Sequence, residues 1–396
     1  LVGNLRIVDI LQLKSLDTVA RPHLPHPDIA ILAVDNKSLA ALGRWPWDRK
    51  VHADFLNVLS NYNPRLAAFD INFSERQDNQ NDSAFALEAC KSDFPIIFST
   101  QAIFIRGFDA PQTILKPVID TPNLGHVNAP ESTDGIIREF PVKLSVGGEI
   151  MEPFSFKVIE TAGAEIPDQK ERLINFAGGA GTFQTISYGD ILNDRVSSEN
   201  LDDKILLIGA TASDLHYYLL APVPGGILAG VEWHANVLDN ILLARPILNT
   251  NPIIVYTAGA VIGFFLLIVS LFANTPRVLG ALLGATFFLP LFSYILWQRK
   301  IAFPFFTNLV IIAGTFAVSS AIRWYRAELE RKKLRERVQN YFSPNVMEVI
   351  LKDASHLRLG GERREITILF SDIRSFTTIT ESTDADKLAQ MLHRYF

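Results

Sequence analysis

Cysteine is almost absent from this chain. Cys90 is the single one among 396 residues, which excludes a disulfide framework within one chain and a cysteine-based zinc cluster. A lone thiol with apolar neighbours reads as a small core residue. A surplus of positive charge is also missing. Against 37 Lys and Arg stand 42 Asp and Glu, a formal net charge of -5. A nucleic-acid binder would show a strongly basic domain, so no nucleic-acid partner is expected. Over residues 1–248 there is no phosphate-binding loop, no Ser/His/Asp spacing and no paired-carboxylate motif that would mark an enzyme. No secretory signal is visible at Leu1; the opening LVGNLRIVDILQLKSLD reads as an amphipathic helix with Val8, Leu11, Leu16 and Val19 among its apolar positions.

Apolar residues, by contrast, are abundant. Mean hydropathy is +0.18, and the excess is concentrated between about residues 252 and 324. Three charge-free stretches follow one another there, at about 253–273, 278–297 and 301–322. Each has the length a helix needs to cross a hydrocarbon core of about 30 Å. The separators NTPR and QRK are short enough to force antiparallel neighbours. RWYRAELERKKLRER, residues 323–337, is rich in Arg and Lys, so that end is expected in the cytoplasm. Trp297, Trp324 and Tyr325 fall at helix ends, where amphipathic rings favour the interface. Three crossings then place residues 1–248 outside, in a multi-pass protein of the plasma (bacterial inner) membrane. An outer N-terminal domain implies a further membrane helix or anchor before Leu1.

Residues 1–248 read as α/β. Buried strands are expected at 29–35, 66–72, 95–100, 172–178 and 204–210, and helices at 50–61, 83–91, 153–163 and 230–243. Such alternation predicts a mainly parallel sheet with helices on both faces. Ligands of such sheets bind beyond the carboxyl ends of strands. Asp35 and Asp70 stand at such ends, and Asp214, His216 and His234 follow the strand that closes at Gly209. Two readings apply to the acids: they cap helices and fix turns, or they line a ligand or metal pocket. Trp45, in WPWDR, either stacks on a ligand or covers a core edge.

The stretches DNKSLAALGRWPWDRKVHADFLNVL, AAFDINFSE and LLIGATASDLHYYLLAPVPGGILAGVEWHANVLDNIL together resemble the CHASE-type extracytoplasmic sensor domain of the second class. The resemblance spans most of residues 5–245 and implies an outer sensor followed by three membrane helices and a cytoplasmic output. It implies a stimulus without naming it; Asp35, Trp45, Asp70 and His234 are the candidate sensor-pocket residues. From about residue 325 to 358 a coupling helix is expected, with Leu334, Val338 and Tyr341 spaced as a short dimeric coiled-coil seam and Pro344 breaking the helix. The basic cluster also suits anionic lipid.

The last segment, 359–396, predicts a turn at Gly360-Gly361, a strand from about 364 to 371, Asp372 at its end, a polar turn over Ser375–Thr378 and an amphipathic helix in DADKLAQMLHRYF. A strand, a turn with free N–H groups and a helix start suit a phosphate, and a strand-end acid can hold Mg²⁺; the same acid can equally cap a helix. Gly360-Gly361-Glu362-Arg363-Arg364 and Leu369-Phe370-Ser371-Asp372-Ile373-Arg374-Ser375-Phe376-Thr377, with Tyr341-Phe342-Ser343-Pro344 before them and Tyr395-Phe396 after, resemble the start of a class III adenylate/guanylate cyclase domain. That family is α+β, ferredoxin-like and works as a homodimer. The resemblance implies ATP as substrate, two divalent cations (Mg²⁺ or Mn²⁺) as cofactors, Asp372 and the Ile373 carbonyl as metal ligands, and Arg374, Ser375, Phe376 and Thr377 around the phosphates. It implies attack of the ribose 3′-OH on the α-phosphorus with loss of pyrophosphate. Ser375 stands where many relatives have Gly. The second metal aspartate, the base-reading Lys and the transition-state Asn and Arg are expected after Phe396. The resulting expectation is a receptor-type adenylate cyclase in the bilayer; a guanylate cyclase or a catalytically degenerate receptor are the alternatives.

Overall fold

The computed structural model describes residues 2–104, 113–115, 121, 123–146, 148–166, 172–215, 218–272, 275–339, 365 and 367–395. Its contacts divide the chain into two compact units, Leu1–Arg323 and Trp324–Phe396. His216, Tyr341, Phe342, Ser343, Pro344, Gly360, Gly361, Glu362, Arg363, Arg364 and Phe396 lie outside the described residues.

The first unit begins with α1 (Val2–Asp17). β1 (Ile29–Val34), α2 (Asn36–Leu42), α3 (Arg49–Leu59), β2 (Leu66–Asp70), α4 (Asn79–Lys91) and β3 (Ile96–Ile103) follow. Short strands come next: β4 (Thr113–Leu115), β5 (Leu124–His126), β6 (Leu144–Val146) and β7 (Glu149–Met151). After them run α5 (Phe154–Thr161), β8 (Arg172–Leu173), β9 (Gln184–Ser187), α6 (Tyr188–Leu192), β10 (Ile205–Ala210), the hairpin β11 (Tyr218–Leu220) and β12 (Ile227–Ala229), and α7 (Gly230–Leu242).

The main sheet has the order β4-β3-β2-β10-β1-β9, with β5 also paired to β3. All its pairings are parallel except β3 with β4. Every residue of β1 is buried, as expected for a strand covered on both faces. Period-two alternation divides it. Ile29, Ile31 and Ala33 join one core with α5 and α7, while Ala30, Leu32 and Val34 join a second core with α3 and α4. β10 lies between β1 and β2. The chain from β1 turns onto one face, and the chain from β10 reaches α7 on the other, so a crevice opens at the carboxyl edge.

The expected strand over 172–178 is limited to Arg172–Leu173. Beyond Leu173 no strand pairs with the chain; Ile174 N–H donates to Arg138 C=O at 2.8 Å, Ala177 C=O accepts from His23 N–H at 3.0 Å, and side chains of α7 take other backbone groups. Asn240 accepts from Asn175 N–H at 2.8 Å and donates to Asn175 C=O at 2.8 Å; Asn236 accepts from Ala177 N–H at 2.8 Å. Cys90 is exposed instead of joining the core. On α4 the inward positions are Asp82 and Phe85, and a residue five further on has rotated away from that side.

β13 (Ile247–Asn249) leads into α8 (Pro252–Phe272), and α9 (Thr275–Gln298), β14 (Ile301–Ala302) and α10 (Phe306–Gln339) complete the membrane region. Three helices are long and apolar enough to cross a membrane. The third starts at Phe306 and not at 301. Ile301 and Ala302 pair with β13 as a strand, and Pro304 disfavours helical backbone in the residue before it. β14, β13 and β8 form one small sheet, and Leu16, Val19, Leu173, Ile247, Trp297 and Ala302 pack together around it. Arg138 grips Asp17 at the end of α1 through paired bonds of 2.9 and 2.8 Å.

In the second unit the described residues of the expected strand over 364–371, namely 365 and 367–371, are not in a strand. Residues 367–373 are in neither strand nor helix, and Leu369 and Phe370 are 88% and 91% exposed. A strand exists only by pairing, and among the described residues of this unit no other strand is present to pair with it. The expected turn over Ser375–Thr378 is also displaced: α11 (Phe376–Ser382) already begins at Phe376 and is followed by α12 (Ala385–Tyr395).

The close approach of β5 to α5 gives a direct test of the packing. A Cβ on Gly125 would lie 2.7 Å from the Phe154 backbone nitrogen and 3.0 Å from the Pro153 carbonyl carbon, atoms that cannot rotate away. Gly125→Val should lower stability by about 3 kcal/mol, read by thermal unfolding; an unchanged transition would contradict this packing.

Candidate functional site

At the carboxyl ends of β2, β5 and β10, and beside the middle of β3, lies a cleft of about 550 Å³. Asp70, the last residue of β2, stands in its wall beside Asn72. β3 contributes Ser99, Thr100 and Gln101, and the segment after β5 contributes Asn128 and Glu131. The start of α7 supplies Gly230, Trp233 and His234. An apolar side is made by Val127, Ala129, Leu215 and Leu219.

The elements dictate this convergence. Parallel strands end at one edge, so their last residues collect there. α7 starts at that edge with a capping arrangement in which Glu232 accepts from Ala229 N–H at 3.1 Å, and the same carboxylate accepts from Gly181 N–H at 2.7 Å. Gly230 has no side chain at the point where the helix meets Asp70; a Cβ there would stand 3.2 Å from Asp70 Oδ2.

Several polar groups in the wall are spoken for. Ser99 donates to Ile71 C=O at 3.0 Å, and Asn128 exchanges two bonds with the Ala102 backbone. Three are not. Among the described residues no hydrogen bond engages the Asp70 carboxyl, and burial pushes it up to about 7. The buried Trp233 Nε1 and His234 Nδ1 are without partners. Burial holds His234 down to about 3, and nearby His126 pushes the same way, so the imidazole is neutral at physiological pH. Phe154 meets its ring edge to face at 4.9 Å. His126 itself is held below the usual range by burial, with Nε2 at 2.9 Å from Val142 C=O.

The family model of the CHASE2 domain matches residues 1–273. The chain belongs to the CHASE2 family. No curated protein and no solved structure matches it. The CHASE2 match includes α8, so the family unit extends through the first membrane helix.

Of the four pocket candidates in this CHASE2 domain, Asp70 and His234 come together in the cleft, and Asp35 and Trp45 do not. Asp35 caps α2: its carboxylate accepts from Ser38 N–H at 2.8 Å, Ser38 Oγ at 2.6 Å and Ser187 Oγ at 2.8 Å. Trp45 packs on Trp47 and His52 at the edge of the second core. Asp214 is exposed. Among the described residues no three His, Cys, Asp or Glu side chains gather to hold a metal. Trp233, Glu131 and the β3 residues escaped the sequence reading. WHAN within a helix that starts at a strand-rich edge was the available signal for Trp233; a loop Glu such as Glu131 carries none.

In the second unit Asp372, Arg374 and Ser375 are exposed. Ser375 adopts φ 62° and ψ 31°, the left-handed region that glycine occupies most easily. Phe376 N–H donates to the Ile373 carbonyl at 3.2 Å, and Thr377 lies within α11. Among the described residues Asp372 belongs to no group of three or more His, Cys, Asp or Glu side chains.

Burial of Asp70 has a pH signature. Its folded value lies above its unfolded one, so the unfolded chain releases the proton first, and stability falls as pH rises from about 4 to about 7. Asp70→Asn removes this loss. Above pH about 7 the variant should melt at least about 3 °C higher relative to wild type than it does at pH about 5. Parallel melting curves across that range would contradict a half-buried, desolvated carboxyl with no hydrogen-bond partner among the described residues.

Proposed function

We propose that this chain is the sensing, membrane and coupling part of a receptor-type adenylate cyclase. The CHASE2 domain takes up the stimulus outside the plasma membrane, three helices cross the bilayer, and a class III catalytic domain beginning near residue 359 makes 3′,5′-cyclic AMP from ATP as a homodimer. The observation that carries this reading is the succession itself. The CHASE2 match ends with the first of three apolar helices, α10 runs for 34 residues from Phe306 to Gln339, and Leu369-Phe370-Ser371-Asp372-Ile373 follows later in the sequence.

Asp372 is the residue assigned to the divalent cations, Mg²⁺ or Mn²⁺, with Ile373 C=O beside it; Arg374, Ser375, Phe376 and Thr377 are assigned to the triphosphate. One carboxylate does not complete such a site, and further ligands are required. Ser375 favours a second reading, a receptor whose catalytic domain has degenerated, because it holds a glycine-type backbone conformation with a side chain in place.

The full-length protein in nanodiscs with ATP and Mn²⁺ or Mg²⁺ should form cyclic AMP, and Asp372→Ala should lower the rate by about a hundredfold or more. Full activity in the variant would contradict the assignment of Asp372. Cyclic GMP from GTP would point to the guanylate enzyme, and no product from either nucleotide would favour the degenerate receptor.

A further inference from the structure

The cleft described above has a definite chemistry. Two carboxyl side chains, Asp70 and Glu131, stand in its wall, and no Lys or Arg is among the described residues that line it. Unlike Asp35, whose carboxylate is filled by Ser38 and Ser187, Asp70 accepts nothing from within the protein among the described residues. A second, independent feature points to a ligand. Trp233 and His234 are each 1% exposed and line the cleft, with Trp233 Nε1 and His234 Nδ1 unpartnered. Buried polar groups are normally satisfied, so two cleft-lining residues carry unused hydrogen-bonding capacity that a small side-chain adjustment would offer to a ligand. The indole N–H can only donate, and therefore needs an acceptor. The carboxylates need donors, best supplied with positive charge. Val127, Ala129, Leu215 and Leu219 need an apolar surface. A volume of about 550 Å³ is in the range of small-molecule pockets.

We infer that the cleft binds a small organic amine: an ammonium group held by Asp70 and Glu131, an apolar body against the Leu215–Leu219 side, and a hydrogen-bond acceptor within reach of Trp233. Carboxylate ligands are disfavoured because they would meet two acids with no cation among the described lining residues. This inference rests on the reading of the domain as a sensor and deepens it by naming the ligand class. It does not depend on the output enzyme.

The test is calorimetric titration of the full chain in phosphatidylcholine nanodiscs with three probes of nearly equal shape: tyramine, tyrosol, in which a hydroxyl replaces the ammonium, and 4-hydroxyphenylacetate, in which a carboxylate does. Tyramine should bind saturably, and tyrosol more weakly by about tenfold or more. The acid should not bind. Asp70→Asn and, separately, Glu131→Gln should each weaken tyramine by about tenfold. Glu131 is exposed, so its variant keeps the fold even where the Asp70 variant does not. The inference is overturned if folded wild-type protein does not bind tyramine up to about 10 mM, if the acid binds as well as the amine, or if Glu131→Gln binds tyramine unchanged. Because binding is read directly, a negative result leaves the receptor-cyclase proposal standing, and loss of cyclase activity leaves this one standing.

Discussion

Buried polar side chains on one helix, α7, hold three other parts of the domain in place. Glu232 takes the Gly181 N–H, Asn236 the Ala177 N–H, Asn240 both backbone groups of Asn175, and Asp239 the His23 ring at 2.8 Å and the His26 N–H at 2.7 Å. Asn236, Asp239 and Asn240 are fully buried. Removing one partner from such a bond leaves an orphaned group at a cost of about 1–3 kcal/mol, so the set resists piecemeal change. An apolar helix of the same shape would cover the sheet equally well but would leave the backbone groups of Asn175 and the N–H groups of Ala177 and Gly181 without these partners.

The same helix joins the two ends of the sensor. Its first turn presents Trp233 and His234 to the cleft. Its last residues lead through Leu243 to β13, which pairs with β8 on one side and β14 on the other. β14 belongs to the connection between the second and third membrane helices, and Ala302 from that connection and Trp297 from the end of α9 pack with Leu16, Val19 and Ile247. A ligand that changes the position of α7 therefore acts on a helix already bonded to the segment that carries β8 and continuous with β13. This is a physical route from cleft to membrane made of two hydrogen-bonded layers, not a long chain of surface contacts.

Much of this arrangement was legible in the residues. β1, β2, β3 and β10 are near-continuous apolar runs because they are buried on both faces, and the membrane helices declare themselves by length and lack of charge. What was not legible depends on partners distant in sequence. Asp35 and Asp70 look alike at their strand ends; only the fold shows that Ser38 and Ser187 satisfy the first and that nothing among the described residues satisfies the second. β9, QTIS, was overlooked because it is a partly exposed edge strand with polar positions. RLINFAG reads as a strand because it is a short apolar run, while the amides that claim its backbone lie about sixty residues later. The stripe Glu232, Asn236, Asn240 at four-residue spacing was the visible sign that this helix does more than pack. The segment at 364–371 has the residues of a strand, but pairing decides whether a strand forms, and pairing is not a property of the segment.

The central claim is that α7 ties the cleft-bearing part of the domain to the membrane-proximal strands as one body. Hydrogen–deuterium exchange of the chain in nanodiscs, wild type against Asn240→Ala, tests it directly. The account predicts faster exchange at Leu173–Ala177, where the two bonds are lost, and also at Ile247–Asn249, which neither touches Asn240 by a hydrogen bond nor neighbours it in sequence. Faster exchange confined to Leu173–Ala177, with Ile247–Asn249 unchanged, would contradict it.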